Sequence, residues 1–303
     1  MTASFAAFGN LSIDDLVFVD GSTRWGVPGG NAMYAALGMA VWGERASIVA
    51  PVGPEYPLGP LAGRIDLSRC PALPRTLRNW GLYEEDGSRH FVFRRETRNW
   101  ADFSPAPSAV ATGRQDAAHI APLPWQHYGG LVGALRDSGT RLISLDLDDR
   151  DLAKVGLDEV GALLNSVDLF LPSRQDAEAL FPDADPIEAV RRLRAIGPDV
   201  ALIAVKCGAD GVVAHAAGAR QGIRLPALPV DVVDATGAGD TFCGGTLVGL
   251  ARTGDPLEAL LFGAVAASFC VEALGSSRLA AATPGEARRR LDALRARAGT
   301  YPI

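Results

Sequence analysis

Residues 234–242 read Asp234-Ala235-Thr236-Gly237-Ala238-Gly239-Asp240-Thr241-Phe242, and an apolar stretch punctuated by prolines, 225–233, precedes them. A run of small residues, 243–250, follows them. This order predicts a strand, a tight glycine turn and the N-terminus of a helix. Such a turn, here called the anion turn (residues 236–240), points several backbone N–H groups at one spot. The helix dipole adds positive charge there, so the turn favours an anion.

Asp240 brings a carboxylate to the anion turn, where it competes with any bound anion. A chemical role explains this acid: it takes a proton from a hydroxyl group that attacks a phosphoryl group held by the amides. A helix that simply begins with an acid is the alternative, because acids are favoured in a first helical turn.

Composition narrows the classes of protein. The 303 residues, 48% of them hydrophobic, suit one large α/β domain or two modest ones. The net charge of −6 argues against nucleic acid as a main partner. Because we find neither a signal segment nor an apolar run long enough for a bilayer, we expect a cytoplasmic protein with no membrane partner. The four cysteines and four histidines show no metal-ligand spacing, and we expect buried free thiols.

Predicted strands and helices alternate along the chain, which indicates an α/β protein with a mostly parallel sheet and helices on both faces. In such sheets the ligand lies beyond the carboxyl ends of the strands. The residues that the pattern places near that edge are Asn10, Asp14, Gly29, Gly30, Asn31, Asp146, Ser173, Lys206, Cys207, Gly208 and the anion turn.

Residues 75–100 break this rhythm, because apolar and polar residues alternate around Asp86-Gly87 and so predict a hairpin. Residues 16–25 are a second extended piece. We therefore predict a small β flap, or lid, from segments 15–27 and 74–101 within a single domain that spans 1–303. An ordinary hairpin at the edge of the main sheet is the alternative.

Basic and aromatic residues alternate in the second lid segment. If the lid closes over the site, its arginines grip an anionic acceptor such as a sugar phosphate or a sugar acid. A solvated strand face whose charges protect an exposed edge is the alternative. Phe91 and Phe93 lie on one face, which favours either lid packing or a homodimer through the lid. The arginines are Arg89, Arg94, Arg95 and Arg98.

On these motifs the chain resembles the ribokinase (PfkB-type) family of sugar and nucleoside kinases over nearly its whole length. Residues 234–242 resemble the family's C-terminal signature, D-x-x-G-A-G-D-x-F. Gly29-Gly30, thirteen residues ahead of Gly43, resembles the N-terminal signature, and Asp14 after the first strand resembles its substrate-binding acid. The resemblance implies a three-layer α/β/α ribokinase-like fold and an ATP-dependent kinase that phosphorylates a hydroxyl of a sugar or sugar derivative.

The resemblance also implies roles for matching residues. Asp240 is the implied catalytic base, and the amides of Gly237, Ala238 and Gly239 form the implied anion hole, which stabilises charge on the transferring group. Its small residues let the backbone approach phosphate closely.

The implied acceptor site contains a carboxylate and an amide, which suit a polyol because each can bond two hydroxyl groups. A surface turn for the acid and a simple helix start for the glycine pair are the alternatives. Where several members of the family have an asparagine, this chain has a tyrosine, so its acceptor pocket differs. The implied acceptor residues are Asp14, Gly29, Gly30, Asn31 and Tyr34.

The implied nucleotide site lies across 206–210 and 262–275. Lys206 either reaches a phosphate there or extends to solvent, as lysines at strand ends commonly do. Because the chain has no G-x-x-x-x-G-K-[ST] loop, it is not a P-loop kinase. The implied ATP-binding residues are Lys206, Gly208, Thr236, Ala264, Ala267 and Ser268.

Two departures concern metal ions. The family's Asn-x-x-Glu, tied to Mg²⁺ and phosphate, is replaced by Ser173 and Asp176. Asp176 is the implied Mg²⁺ residue, acting through water, and Ser173 is a weaker substitute. Asp234, with the backbone of Thr236, matches a loop that binds a monovalent cation such as K⁺ in parts of the family.

Three other functions compete with a sugar kinase. A nucleoside kinase is the runner-up, in which Tyr34 or Trp25 supplies a wall for the base. A non-catalytic sugar or nucleotide binder is the second, supported by the altered 173–176 stretch and opposed by Asp240. A dinucleotide-binding oxidoreductase is disfavoured because the first strand lacks G-x-G-x-x-G.

Overall fold

The computed structural model describes residues 4–152 and 154–303, and it arranges them in two β-sheets. In chain order the strands are β1 (Phe5–Phe8), β2 (Ser12–Val17), β3 (Thr23–Gly29), β4 (Ala46–Val49), β5 (Ile65–Asp66), β6 (Leu77–Tyr83), β7 (Arg89–Phe93), β8 (Ala117–Ile120), β9 (Leu142–Leu145), β10 (Leu169–Phe170), β11 (Leu202–Lys206), β12 (Val212–Ala216), β13 (Gln221–Leu225) and β14 (Gly299–Pro302). The helices are α1 (Asn31–Ala40), α2 (Tyr128–Asp137), α3 (Asp149–Leu152), α4 (Leu157–Leu164), α5 (Arg174–Leu180), α6 (Pro186–Ile196), α7 (Ala238–Thr253), α8 (Pro256–Cys270), α9 (Ser277–Ala281) and α10 (Pro284–Arg295).

The main sheet has the order β14-β13-β12-β11-β10-β9-β8-β1-β4-β5. The strands from β5 to β11 in this order pair in parallel, and β12, β13 and β14 extend the sheet antiparallel. Phe5 of β1, for example, pairs with Ala46 on one side and Ala117 on the other. Because the parallel strands share one direction, the residues that follow them collect at one edge of the sheet.

Side chains of the central strands alternate between two hydrophobic cores. Phe5 and Ala7 pack into the core that contains α1, α7 and α8, whereas Ala6 and Phe8 pack into the core that contains α2, α4 and α6. Alternation of this kind follows from the two-residue period of a strand. The sheet is therefore covered by helices on both faces, which confirms the predicted three-layer architecture.

The small residues of α7 let three helices approach closely. A Cβ atom added to Gly244 would lie 2.0 Å from the Ala35 carbonyl oxygen of α1, and one added to Gly245 would lie 2.8 Å from the Phe262 carbonyl oxygen of α8. Every residue from 241 to 250 is buried. This packing fixes α7, and with it the anion turn, against the core.

The second sheet has the order β3-β2-β6-β7 and is separate from the main sheet. We call this sheet the lid. β2 pairs in parallel with β6, Asp14 opposite Asn79, and β6 pairs antiparallel with β7, Tyr83 opposite Arg89. The alternative of an ordinary hairpin at the edge of the main sheet is therefore wrong.

The sequence did not predict several of the observed elements, because they are short or have a weak hydrophobic pattern. They are the edge strands β5 and β14 and the helices α3, α4 and α9. In the part of the chain that the structure describes, all four cysteines are free thiols, as predicted, and three of them are buried. A search of the described helices found none with the length and apolar character needed to cross a membrane.

Candidate active site

The glycine turn and the start of α7 form as predicted, but residues 226–233 before them are a loop after β13 and not the predicted strand, because Pro226 and Pro229 cannot donate to a strand ladder. Gly237 precedes the helix with a φ of 77°, a left-handed conformation that favours glycine. The ring of Tyr34 packs directly against it, because a Cβ atom on Gly237 would lie 2.3 Å from Tyr34 Cγ. Backbone conformation and packing therefore both require glycine at this position.

Asp240 lies in the first turn of α7 and is half-buried. Burial, and after it the negative charge of Asp146, raises the pKa of Asp240 to about 7, although the charge of Lys206 acts in the opposite direction. A carboxylate with such a pKa can accept a proton near neutral pH, as a general base must.

Lys206, at the end of β11, forms a buried ion pair with Asp146, which follows β9. The lysine Nζ atom also lies 3.4 Å from the Sγ atom of Cys243 and 3.6 Å from the position of a Cβ atom on Gly239. Burial alone would lower the pKa of Lys206, but the neighbouring Asp146 raises it above its usual value. Lys206 is thus a fixed cation beside the anion turn, and the alternative that it extends to solvent is wrong.

Asp176 and Ser173 form a capping box at the start of α5. Asp176 Oδ2 accepts hydrogen bonds from the Ser173 backbone N–H (2.7 Å) and hydroxyl (2.6 Å), and Ser173 Oγ accepts one from the Asp176 N–H (3.1 Å). Burial and the charge of Asp146 raise the pKa of Asp176 to about 7. The pair that replaces the family's Asn-x-x-Glu thus keeps a buried carboxylate in the electrostatic field of Asp146.

The predicted acceptor residues come together between β2 and the start of α1. Asp14 is buried, and its Oδ1 atom accepts a hydrogen bond from Asn79 Nδ2 at 2.9 Å. A Cβ atom on Gly29 would lie 2.1 Å from Asp14 Oδ2, so the carboxylate stands against the glycine pair. Burial is the main cause that raises the pKa of Asp14 to about 6. The alternative of a surface turn acid is therefore wrong.

The Asn31 side chain links two loops around the predicted acceptor site by hydrogen bonds. Its Oδ1 atom accepts a hydrogen bond from the Asn10 N–H, and its Nδ2 atom donates to the Pro122 carbonyl, each at 2.7 Å. Gly30, with a φ of 111°, lets the backbone of Asn10 pass close by, since a Cβ atom there would lie 2.3 Å from the Asn10 carbonyl oxygen. Asn10 Oδ1 in turn accepts from Trp100 Nε1 at 2.7 Å.

A cavity of about 510 Å³ opens between these loops and the lid. Asn79 contributes an orphan atom to this region: its Oδ1 is buried, and no group of the described residues donates to it. Such an atom favours a bound hydroxyl group, because a buried polar atom without a partner is costly. The cavity is lined by Asn10, Ser12, Gly30, Asn31, Leu77, Asn79, Arg89, His90, Phe91, Val92, Phe93, Trp100 and Arg150.

Not every predicted lid or pocket residue faces this cavity. Tyr34 is 4% exposed and packs on the anion turn, and Trp25 lies 61% exposed with its ring 5.5 Å from that of Trp80. Of the predicted basic cluster only Arg89 lines the cavity, because Arg94 turns to Asp15 at 2.7 Å. The cluster is split because β7 ends at Phe93, so that the other three arginines lie in and around the short 3-10 helix Arg95–Thr97 that follows the strand.

The predicted nucleotide residues outside the turn and Lys206 lie after β11 and on α8. Gly208 follows β11 with a φ of 58°, and Ala264 and Ala267 are half-buried on α8. The Ser268 hydroxyl donates to its own helix and accepts from Arg290 Nη1 at 2.7 Å. A second cavity, of about 470 Å³, lies beside Arg290 between residues 228–229 and α10.

Asp234 sits at the entry to the anion turn. Its Oδ1 atom accepts hydrogen bonds from the backbone N–H (3.0 Å) and hydroxyl (2.8 Å) of Thr236. Two lid residues reach the same carboxylate: Tyr83 OH donates to Oδ2 at 3.1 Å, and Arg89 Nη1 lies 3.5 Å from Oδ1. The Thr236 hydroxyl is thus already used in a hydrogen bond within this turn.

The sequence had indicated no functional role for several residues that lie at the site in the structure. Asp146 was placed at the sheet edge only as one acid among several, and Cys243 only as a buried thiol. Asn79 and Tyr83 carried a usable signal, because their spacing of four along a strand puts them on one face of the lid. Trp100 carried none, since its contact with Asn10 joins residues ninety positions apart.

Comparison with known proteins gives a consistent result. The family model for pfkB family carbohydrate kinases matches residues 11–282. A cytidine kinase from Thermococcus kodakarensis is 29% identical over 263 residues, 82% of this chain and 89% of that protein. A 2-dehydro-3-deoxygluconokinase from Thermoproteus tenax is 31% identical over 294 residues, 88% of this chain and 86% of that protein.

The fold has close structural neighbours. A ribokinase from Arabidopsis thaliana, solved with ribose and ATP, superimposes with a TM-score of 0.76 and 20% identity over 96% of this chain and 99% of that one. The predicted ribokinase-like fold is thereby confirmed. The matches to kinases argue against two of the alternatives, a dinucleotide-binding oxidoreductase and a non-catalytic binder.

Proposed function

The chain belongs to the pfkB family of carbohydrate kinases and is a small-molecule kinase of the sugar and nucleoside class; we propose that it transfers the γ-phosphoryl group of ATP to one hydroxyl of a polyhydroxylated acceptor under the lid. The observation that carries this proposal is the position of Asp240. A carboxylate whose pKa is raised to about 7 shares the first turn of α7 with the amides of the anion turn.

In the proposed reaction Asp240 takes the proton of the acceptor hydroxyl while its oxygen attacks the γ-phosphorus. The bond from phosphorus to the bridging oxygen breaks, and ADP leaves with that oxygen. Backbone N–H groups of Gly237, Ala238 and Gly239 are proposed to stabilise the charge on the transferring group. Lys206 supports them as a buried cation held by Asp146.

A sugar or sugar derivative is the proposed acceptor. Asp14 is proposed to accept hydrogen bonds from its hydroxyl groups, and the orphan Asn79 Oδ1 to accept one more; the hydrogen bond between Asn79 and Asp14 supports this. Gly29 and Gly30 are proposed to line the bound acceptor closely, and Asn31 to fix their loop.

A nucleoside is the second candidate acceptor, and a specific observation favours it. Phe93 and Trp100 line the cavity with their ring centroids 5.9 Å apart, and this aromatic wall suits a planar base. The wall comes from β7 and the segment after it, not from the two aromatic residues that the sequence analysis had named.

We propose that ATP lies across the anion turn, with phosphates near Lys206, Thr236 and Gly208 and the base near Ala264, Ala267 and Ser268. Mg²⁺ supplies charge neutralisation to the phosphates when it is bound with ATP. Within the described residues no cluster of three or more acidic, histidine or cysteine side chains could hold a metal ion. That fits an ion carried mainly by phosphates and water, with Asp176 as the proposed carboxylate behind the water.

Two further features stay proposals. A monovalent cation at Asp234 would have to share a carboxylate that already accepts three hydrogen bonds from Thr236 and Tyr83; comparing activity in K⁺ and Na⁺ salts tests it. A homodimer through the lid is tested by sedimentation of wild type and of Phe91→Ser, because Phe91 belongs to the predicted dimer face and is 38% exposed.

The main test measures ATP-dependent phosphorylation of a panel of sugars, sugar acids, sugar phosphates and nucleosides. Asp240→Asn should lower kcat by about 10²–10⁴ while ATP binding persists. Glu258→Gln is the matched control, because Glu258 is the acid at the same position of the first turn of α8. Full activity of Asp240→Asn would overturn the assignment of the base, and failure of wild type on every acceptor would contradict the proposed substrate class.

A further inference from the structure

The lid touches the entry of the anion turn as well as the acceptor cavity. Tyr83 OH donates to Asp234 Oδ2 at 3.1 Å and stands 3.3 Å from Thr236 Oγ1. Arg89 Nη1 lies 3.5 Å from Asp234 Oδ1. These contacts join residues about 150 positions apart and link the lid directly to the turn, so a lid that moved away from the turn would break them.

The carboxylate that receives these contacts shapes the turn. Asp234 Oδ1 accepts the backbone N–H and the hydroxyl of Thr236, and thereby orients the backbone that leads into Gly237. On the opposite side, the N–H groups of Val233 and Asp234 donate to the Val271 carbonyl at 2.8 and 3.2 Å. The entry of the turn is therefore anchored to the end of α8 by its backbone and to the lid by its side chain.

The same lid strands also line the acceptor site. Tyr83 and Asn79 belong to the same face of β6, and Asn79 bonds Asp14. Arg89 lines the acceptor cavity while it pairs with Asp234. One hydrogen-bonded sheet thus contacts both the proposed acceptor site and the turn that is proposed to hold the phosphoryl group.

We infer that Tyr83 and Arg89 are positioning residues that set the anion turn for transfer when the lid closes over the acceptor. This inference rests on the proposed function. Asp234 is only 5% exposed, and its Oδ2 atom loses the Tyr83 hydroxyl as a hydrogen-bond donor when the lid lifts. The backbone of the turn, which the Asp234 carboxylate orients, then relaxes. Closure then links the presence of the acceptor to the geometry of the amides, which limits transfer to water.

Hydrogen exchange tests the contact without any need for turnover. In Tyr83→Phe, amides of segment 234–240 should exchange at least about fivefold faster than in wild type, because the buried carboxylate has lost a donor. Tyr301→Phe is the control: its hydroxyl donates to the Ala214 carbonyl at 3.1 Å in the main sheet, far from the lid in sequence. Unchanged exchange of 234–240 in Tyr83→Phe would overturn the inference, whether or not an acceptor has been identified.

Kinetics with the best acceptor of the panel supply the second readout. Tyr83→Phe should lower kcat about tenfold while the KM for ATP changes less than about threefold, and Arg89→Gln should also raise acceptor-independent ATP hydrolysis. If Tyr83 acts through Asp234, adding Tyr83→Phe to Asp234→Asn should cost little more than Asp234→Asn alone. Independent, multiplying losses of kcat would overturn the inference, and so would a loss confined to the acceptor KM.

Discussion

Lys206 and Asp146 form an ion pair inside the protein, with 11% and 5% of their side chains exposed, at the point where the ends of β9 and β11 meet the anion turn. The pair brings a fixed positive charge next to Gly239 and a negative charge near Asp240. It therefore tunes the electrostatic field at both the proposed anion hole and the proposed base, although neither residue belongs to the turn.

Lys206→Met should destabilise the protein, because it leaves the Asp146 carboxylate buried without its partner. Breaking a buried ion pair at one residue typically costs about 3–5 kcal/mol of the free energy of unfolding. Chemical denaturation measures this loss. Lys206→Met/Asp146→Asn should recover part of it, since no charge is left unpaired. A single variant as stable as wild type would contradict a buried, charged pair.

The pH profile of kcat/KM for the acceptor should report the carboxylate of Asp240 in the free enzyme. The base acts in its ionised form, so kcat/KM should fall as the pH drops below its pKa of about 7. Asp146→Asn removes the neighbouring negative charge that raises this pKa and leaves Lys206 to lower it, so the midpoint should move to lower pH. Asp168→Asn is the control. Asp168 pairs with Arg136 just before β10 begins, at the opposite end of the strand from the site, so this variant should leave the midpoint in place. An upward shift in Asp146→Asn would contradict the electrostatic argument.

Two glycines of the anion turn should respond differently to alanine. Gly237→Ala should lower the melting temperature, because alanine is strained at a φ of 77° and its Cβ would meet the Tyr34 ring at 2.3 Å. Gly239→Ala should fold normally, since its Cβ would lie at an ordinary 3.6 Å from Lys206 Nζ. Its kcat should nevertheless fall about 10-fold or more, because the methyl group stands where phosphate must approach the backbone. Equal activity of Gly239→Ala and wild type would argue against phosphate at this turn.

Asp14 and Asp15 are adjacent in β2, but their side chains have different hydrogen-bond partners. Asp14 accepts a hydrogen bond from Asn79, which lines the cavity under the lid, whereas Asp15 accepts hydrogen bonds from Arg78 (2.8 Å) and Arg94 (2.7 Å). Asp14→Asn should raise the acceptor KM at least about 10-fold with the KM for ATP unchanged, as expected for lost charge-assisted hydrogen bonds. Asp15→Asn should lower thermal stability and alter the acceptor KM less. The reverse pattern would contradict the assignment of the two faces of β2.

Much of the architecture was predictable because its signals are local. The strand Phe5–Phe8 and the helix Pro186–Ile196 are examples that a local pattern indicates, since apolar periodicity and helix caps lie within a few residues of each other. The anion turn was predictable for the same reason. The edge strand Gly299–Pro302 was not, because its partner Gln221–Leu225 lies about 80 residues away and its own composition carries no strand pattern.

The residues of the site divide in the same way. By itself the sequence determined the anion turn with Asp240, the alternation of strands and helices, and the family, because turn chemistry and periodicity are properties of short stretches of chain. Only the tertiary structure decided that Lys206 pairs with Asp146, that Asn79 bonds Asp14, and that Tyr83 and Arg89 reach Asp234. Those contacts depend on the order and register of strands that are distant in the sequence, and they are selected because charges and hydrogen-bonding groups buried at the sheet edge must find partners there.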